Sequence, residues 1–258
     1  MKSHLKKIKY VLCSTALLLS SIPFGFSQDK NPAEADLFLH MKDAFKNPED
    51  EAGVPRVLLI GDSISIGYTL PVRKQLQGKA NVFRPPTNCE YTGYGLKNLK
   101  SWLGTGHWDV IHFNWGIWDT HMLDAKGALV RDESKEAGPM HIRYSPEEYG
   151  KNLSELLDIL QGTGAKLIWA STTPIMSRTG ARFEDIAIRN AVAAKIMEAR
   201  KIPVNDLYLY TLPHVKEWQN PDQVHFNRVG NDRLADRVCE SILRELQSGS
   251  AIPGKTDR

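Results

Sequence analysis

Residues 56–68 read RVLLIGDSISIGY. After Arg56 the run Val57 to Ile60 is apolar and uninterrupted, the pattern of a strand buried on both faces of a parallel sheet. Gly61-Asp62-Ser63 ends that run abruptly. In open parallel α/β sheets, ligands bind outside the carboxyl ends of the strands, so Ser63 stands where a nucleophile is displayed. Gly61 lets the chain turn, and the N-terminus of a following helix favours a nearby anion. Ser63 as a plain helix cap is the competing reading, since serine is a preferred capping residue.

Outward from this stretch, strand and helix patterns alternate. A helical stretch is expected near 70–77, with Pro71 early in it, then a short strand at 80–83 (ANVF). Apolar residues at 96, 99, 102 and 103 have helical spacing, and 109–114 (DVIHFN) reads as a third strand. Ser145-Pro-Glu-Glu148 is a capping box with proline at the first helical position; it opens a helix through about Gln161. A fourth strand follows at 166–171 (KLIWAS), an amphipathic helix at 183–200, a weak fifth strand at 202–206, and a last helix from Asn227 to about Gln247. The stretch 115–144 shows no clear period and reads as a long functional loop. This alternation predicts one α/β domain over residues 56–247: a five-stranded parallel sheet in three layers, with helices on both faces.

The two ends read differently. Residues 1–27 hold Lys2, Lys6, Lys7 and Lys9, no acid, an apolar run from Tyr10 to Ser20, and small residues before Gln28. That is the pattern of a cleaved export signal, and the apolar run is short for a membrane span. It predicts a periplasmic or secreted protein with no stable membrane insertion after signal removal. Residues 28–55 are expected to form a short helix over about 33–45 and a linker, and 248–258 a tail. The chain has 258 residues, 41% hydrophobic and 24% charged, an ordinary globular composition that excludes a disordered chain or a polytopic membrane protein. Its net charge of +3 comes from the leader; without those four lysines 29 basic residues face 30 acidic ones. No basic field remains to bind nucleic acid. Cys89 and Cys239 are the two cysteines beyond the leader, and they read as small buried residues.

Two further blocks carry chemistry. Asp222-Gln-Val-His225 lies just before the last helix. A carboxylate three residues before a histidine can fold back onto one ring nitrogen and leave the other free to take a proton from a serine. Asn114, at the end of the third strand, can aim its amide at a developing oxyanion, a donor worth about 3–4 kcal/mol. Each block alone is equally a turn or a cap. Together, in this order, Gly-Asp-Ser63, Asn114 and Asp222-x-x-His225 resemble the SGNH (GDSL-type) hydrolases, and the resemblance spans about residues 55–247.

The resemblance implies a flavodoxin-like sheet and hydrolysis of carboxylic esters with no metal or cofactor. It implies Ser63 as nucleophile, with its own N–H in the oxyanion hole, Asn114 as side-chain oxyanion donor, His225 as base and then acid, and Asp222 as the group that orients it. The family's second backbone donor falls by spacing at Cys89, with Gly93 and Gly95 as neighbouring alternatives. The stretch departs from the Gly-x-Ser-x-Gly elbow of α/β-hydrolases, because its fifth residue is Ser65. Trp115 and Trp118 are candidates to stack on sugar rings, against the plainer reading that large aromatics fill cores. His112, Asp119 and His121 lack a metal-ligand spacing. The expectation is an exported serine esterase acting on a small-molecule or polysaccharide ester, acetyl esters on carbohydrate above all. A lipolytic or arylesterase, or a non-catalytic carbohydrate-binding protein on the same fold, is the alternative.

Overall fold

The computed structural model describes residues 42–130, 138–176 and 183–248. The leader, most of the expected helix at 33–45 and the tail from 249 lie outside these residues; 42–44, the described end of that helix, are helical.

Strand β1 (Arg56–Ile60) lies inside the sheet, and after Arg56 its side chains on both faces are apolar and buried. Val57 and Leu59 enter one core and Leu58 and Ile60 the other. The sheet has the order β2 (Asn81–Phe83), β1, β3 (Val110–Phe113), β6 (Lys166–Ala170), β7 (Val204–Asn205), with every pair parallel. This is the flavodoxin-like order 2-1-3-4-5, with its reversal between β1 and β3.

Helices α1 (Ser63–Gln75) and α7 (Arg228–Ser248) cover one face. Their Ile64, Tyr68, Val72, Leu234, Val238 and Ile242 pack on Val57 and Leu59. Helices α2 (Thr92–Leu103) and α3 (Pro146–Gln161) contribute Leu99, Leu103, Leu153 and Leu157 to the other face, where Ala193 and Met197 of α4 (Phe183–Ala199) join them. Each fully buried leucine is worth about 1.5–3 kcal/mol over an exposed one, so two such faces hold the sheet between them. Cys89 belongs to one core and Cys239 to the other, so the sheet separates these two free thiols.

Three expectations need correction. The first helix begins at Ser63, not near 70, so Pro71 lies in its interior. Glycine and β-branched residues depress local helix propensity there. The packing of Ile64, Tyr68 and Val72, one turn apart, overrides that penalty. A Cβ on Gly67 would come within 2.5 Å of Asn231 Oδ1, so α1 and α7 approach as closely as glycine permits. Helix α2 begins at Thr92, ahead of the span 95–103 that the apolar spacing marks, and there the Asp119 carboxylate accepts the Thr92 N–H at 3.0 Å. That capping group lies 27 residues downstream, where no local pattern reveals it. The stretch 115–144 also has structure of its own. It holds a 3-10 turn at Ile117–Thr120 and an antiparallel pair, β4 (Met122–Leu123) with β5 (His141–Ile142). Its residues 131–137 lie outside the described ones.

The capping box at Ser145 and Glu148 forms as expected, with bonds of 3.2 and 2.8 Å. Between β7 and α7 the chain makes two short helices, α5 (Leu207–Thr211) and α6 (Val215–Trp218), which lead into the segment holding Asp222 and His225. Among the described residues, no helix is long and apolar enough to cross a membrane.

Candidate active site

Ser63 is the first residue of α1, immediately beyond the carboxyl end of β1. Asp62 is the N-cap, and its Oδ1 accepts the Ile64 N–H at 3.0 Å. Ser63 therefore is not the cap, and its hydroxyl is free for another partner. Its N–H, the first of the helix, has no carbonyl one turn back to bond. Gly61 is needed for close approach: a Cβ there would sit 3.0 Å from the Ser65 side chain.

The partner comes from residues 219–227. Val224 and Phe226 are buried, and His225 between them points the other way. Asn220 N–H donates to the His225 carbonyl at 2.7 Å, and Gln219 Nε2 to Pro174 O at 2.7 Å, which fixes this segment on the body of the fold. Gln223 takes a left-handed conformation, φ 58°. That turn brings Asp222 back over its own chain, so Oδ1 accepts the N–H groups of Val224 and His225 at 3.0 and 2.9 Å. The other oxygen, Oδ2, lies 2.5 Å from His225 Nδ1, and His225 Nε2 lies 2.8 Å from Ser63 Oγ.

A carboxylate only accepts, so Nδ1 carries the ring proton and Nε2 is left bare toward the Ser63 hydroxyl. Burial alone raises the Asp222 carboxyl; the hydrogen bond from His225, its charge and the two backbone N–H groups outweigh burial and hold the pKa at about 2. The structure thus joins Ser63 to His225, 162 residues away in sequence, and His225 to Asp222 in one hydrogen-bonded line.

The other sequence candidates fare differently. Asn114 lies just past β3, and its Nδ2 donates to Ala170 O at 2.8 Å and Thr172 Oγ1 at 3.1 Å. Both amide hydrogens are thereby engaged at the end of β6. Cys89 is a correction. Its N–H donates to Gly61 O at 3.2 Å and its side chain is fully buried, so this donor serves the fold and does not face Ser63. Trp115 is a second correction: it is fully buried, with Nε1 bonded to Cys89 O at 3.2 Å, and presents no face to a ligand. Trp118 is half-buried, edge-on to His121 with ring centroids 5.1 Å apart. Tyr91, Tyr94 and Tyr144, each half-buried, cluster with centroids 6.0 and 6.1 Å from Tyr91, and Arg143 sits 4.0 Å over the Tyr91 ring.

The remaining titratable groups nearby are structural. His112 is wholly buried, accepts from Asn205 at 3.2 Å, and is held neutral by burial with its pKa lowered to about 3. Asp119 is committed to Thr92, whose N–H and hydroxyl it accepts. Among the described residues, no group of three or more His, Cys, Asp or Glu side chains is placed to hold a metal ion. Asp62 is buried, and desolvation raises its carboxyl against the Ile64 N–H and the charges of His225 and Arg84. Asp62 Oδ2 and Thr173 Oγ1 have no bonding partner among the described residues, and both residues line a cavity of about 10 Å³ with Asn114. Nothing local marks Arg84, since an arginine before Pro85-Pro86 carries no sign of its burial.

No protein-family model matches the chain, and no curated protein matches it in sequence. Solved structures do match in three dimensions. An acetyl xylan esterase superposes with TM-score 0.57 at 17% identity, covering 72% of this chain and 99% of its own. A lipase/acylhydrolase from Enterococcus faecalis has TM-score 0.57 at 19% identity, covering 79% and 100%. A GDSL-like lipase from Bacteroides thetaiotaomicron has TM-score 0.56 at 16% identity, covering 81% and 98%. At these identities the likeness shows the fold: the chain has the three-layer α/β fold of the SGNH hydrolases.

Proposed function

We propose that the protein is an exported serine ester hydrolase, cleaving acetyl esters carried on carbohydrate through Ser63, His225 and Asp222. The single observation that carries this reading is the line from Asp222 Oδ2 through His225 to Ser63 Oγ. As Oγ attacks the ester carbonyl, His225 Nε2 takes its proton, and Asp222 stabilises the imidazolium that forms. The Ser63 N–H faces the growing oxyanion, and Asn114 joins it by turning its amide from Ala170 and Thr172. The imidazolium then gives its proton to the leaving alcohol. Water attacks the acyl-Ser63 with His225 again as base, releasing the acid and the free serine.

The carbohydrate part draws support from the half-buried tyrosine cluster at the start of α2 and from the likeness to an acetyl xylan esterase. Export rests on the leader; N-terminal sequencing of the protein made from its full gene tests it, with Gln28 expected first.

The test of the activity is p-nitrophenol release from acetate, butyrate and octanoate esters, followed by acetylated polysaccharides. Wild type should prefer acetate, and Ser63→Ala should lower kcat by at least about 1000-fold. A fluorophosphonate should label wild type and not the variant. Equal turnover by both proteins, or no labelling of wild type, refutes the assignment of Ser63.

A further inference from the structure

We propose that Arg84 is a positioning residue for Ser63: its buried guanidinium locks the turn 61–65 in the one arrangement that presents the Ser63 hydroxyl to His225. The proposal rests on the reading of Ser63 as nucleophile.

Arg84 is the first residue after β2 and is 1% exposed. A guanidinium has five N–H donors, and here five oxygens receive them. Nη1 donates to Ser65 Oγ at 3.1 Å and Thr69 Oγ1 at 3.0 Å. Nη2 donates to Gly61 O and Thr87 O, both at 3.3 Å, and Nε to Pro85 O at 3.3 Å. All five acceptors are neutral. Burying a charge without a paired carboxylate is costly, and an apolar side chain fills the same volume without that cost. The payback lies in what the five bonds hold.

They grip the chain on both sides of Ser63. On the near side, Gly61 O is fixed twice, by Arg84 Nη2 and by the Cys89 N–H at 3.2 Å. On the far side, Ser65 Oγ accepts from Arg84 and donates to Asp62 O at 3.0 Å. Thr69 Oγ1 also accepts from Arg84 and donates to Ser65 O at 2.7 Å. Gly61, Asp62, Ser65 and Thr69 therefore form one hydrogen-bonded frame, and Ser63 is carried by it. Arg84 is itself held: its N–H donates to Asn47 Oδ1 at 2.9 Å and its carbonyl accepts from Asn47 Nδ2 at 2.9 Å. Ser65, the residue that sets this stretch apart from Gly-x-Ser-x-Gly, gains its role here as the link between the guanidinium and the backbone of Asp62.

The experiment compares the full chain with Arg84→Lys and Ser65→Ala. It reads kcat and KM on p-nitrophenyl acetate, the rate of fluorophosphonate labelling per folded molecule, and crystal structures of the variants. An ammonium keeps the charge and cannot reach five oxygens. Displacing a nucleophile by about 1 Å costs on the order of 100-fold, so kcat and labelling should fall about 10- to 100-fold in Arg84→Lys with KM within about twofold. Ser65→Ala should fall about 3- to 10-fold in the same two readouts. A folded Arg84→Lys with wild-type kcat overturns the proposal. Should Arg84→Lys not fold, Ser65→Ala decides, and wild-type kcat there overturns it equally. If wild type itself neither turns over nor is labelled, the reading of Ser63 as nucleophile has failed. The frame is then judged by the crystal structures alone. The separation of Ser63 Oγ and His225 Nε2, 2.8 Å in the wild type, should lengthen past hydrogen-bond range in Arg84→Lys and by a few tenths of an ångström in Ser65→Ala, and an unchanged separation in both overturns the proposal.

Discussion

At Asp222, three hydrogen bonds converge on one carboxylate whose side chain is 37% exposed. Held at a pKa of about 2, it is ionised across the neutral and mildly acidic range, so the ring of His225 keeps one orientation and one tautomer. Asp222→Asn preserves the oxygen that receives the Val224 and His225 N–H groups. It also sets an amide donor against Nδ1, which drives the ring proton to Nε2, where it faces Ser63 and cannot accept from it. The expected result is a fall in kcat on the order of 10⁴-fold with little change in melting temperature. Steady-state kinetics beside thermal unfolding checks it. A variant with wild-type kcat would show that Asp222 only shapes the turn. Trp115 and Trp118 are three residues apart, and the first is sealed between α3 and Cys89 while the second is half-buried. Residue type gave no means of telling them apart.

Elements matter here through their ends. Helix α1 starts where Asp62 caps it, and that start makes Ser63 the first helical residue with an unspent N–H. The segment before α7 is set by Gln223, whose φ of 58° lets Asp222 fold back to His225. A left-handed residue costs about 1–2 kcal/mol unless it is glycine. Gln223→Gly should therefore keep kcat and hold or raise the melting temperature. Gln223→Val, β-branched and ill-suited to this conformation, should lose about 1–2 kcal/mol of stability and lower kcat as well. Denaturant titration with parallel kinetics separates the two effects; equal stability of the two variants would rule out the turn as a source of strain. The helix starts well before the stretch 70–77 that local propensity favours, because Ile64, Tyr68 and Val72 meet the α7 surface.

Across the whole molecule, the sheet order places the ends of β1, β2, β3 and β6 side by side, and the loops that leave them share buried groups. Asp119 is the deepest of these ties: fully buried in the turn after β3, it caps α2 through Thr92, whose hydroxyl also receives Asn152 of α3 at 3.1 Å. Burial raises its pKa to about 7, against the bonds from Thr92 and the charges of Arg143 and Arg189. Its folded pKa thus lies above the unfolded value of about 3.9, so the native state holds this proton more tightly. Its contribution to stability is fully present below about pH 4 and is lost as pH rises through about 7. Asp119→Asn removes that dependence while keeping an acceptor for Thr92. Relative to wild type, the variant should therefore gain melting temperature as pH rises from about 4 to 8. Calorimetry across this range tests it, and a difference that stays flat with pH contradicts the buried titration.

Gly-Asp-Ser63, Asp222-x-x-His225, the alternating strands and helices, and the capping box at Ser145 were legible in the linear chain. Each is a local matter: a buried strand shows as a run of apolar residues, and a cap needs only a side chain within one turn of its target. Strand order, the burial of Trp115, the diversion of the Cys89 N–H to Gly61, the start of α2 under Asp119 and the enclosure of Arg84 were not legible. All of these are made by contacts between segments tens of residues apart, where the side chain's identity stays the same and only its surroundings decide whether it is spent, sealed or free. The composition of the site was written in short motifs, and its geometry was decided by how the sheet and its loops pack together.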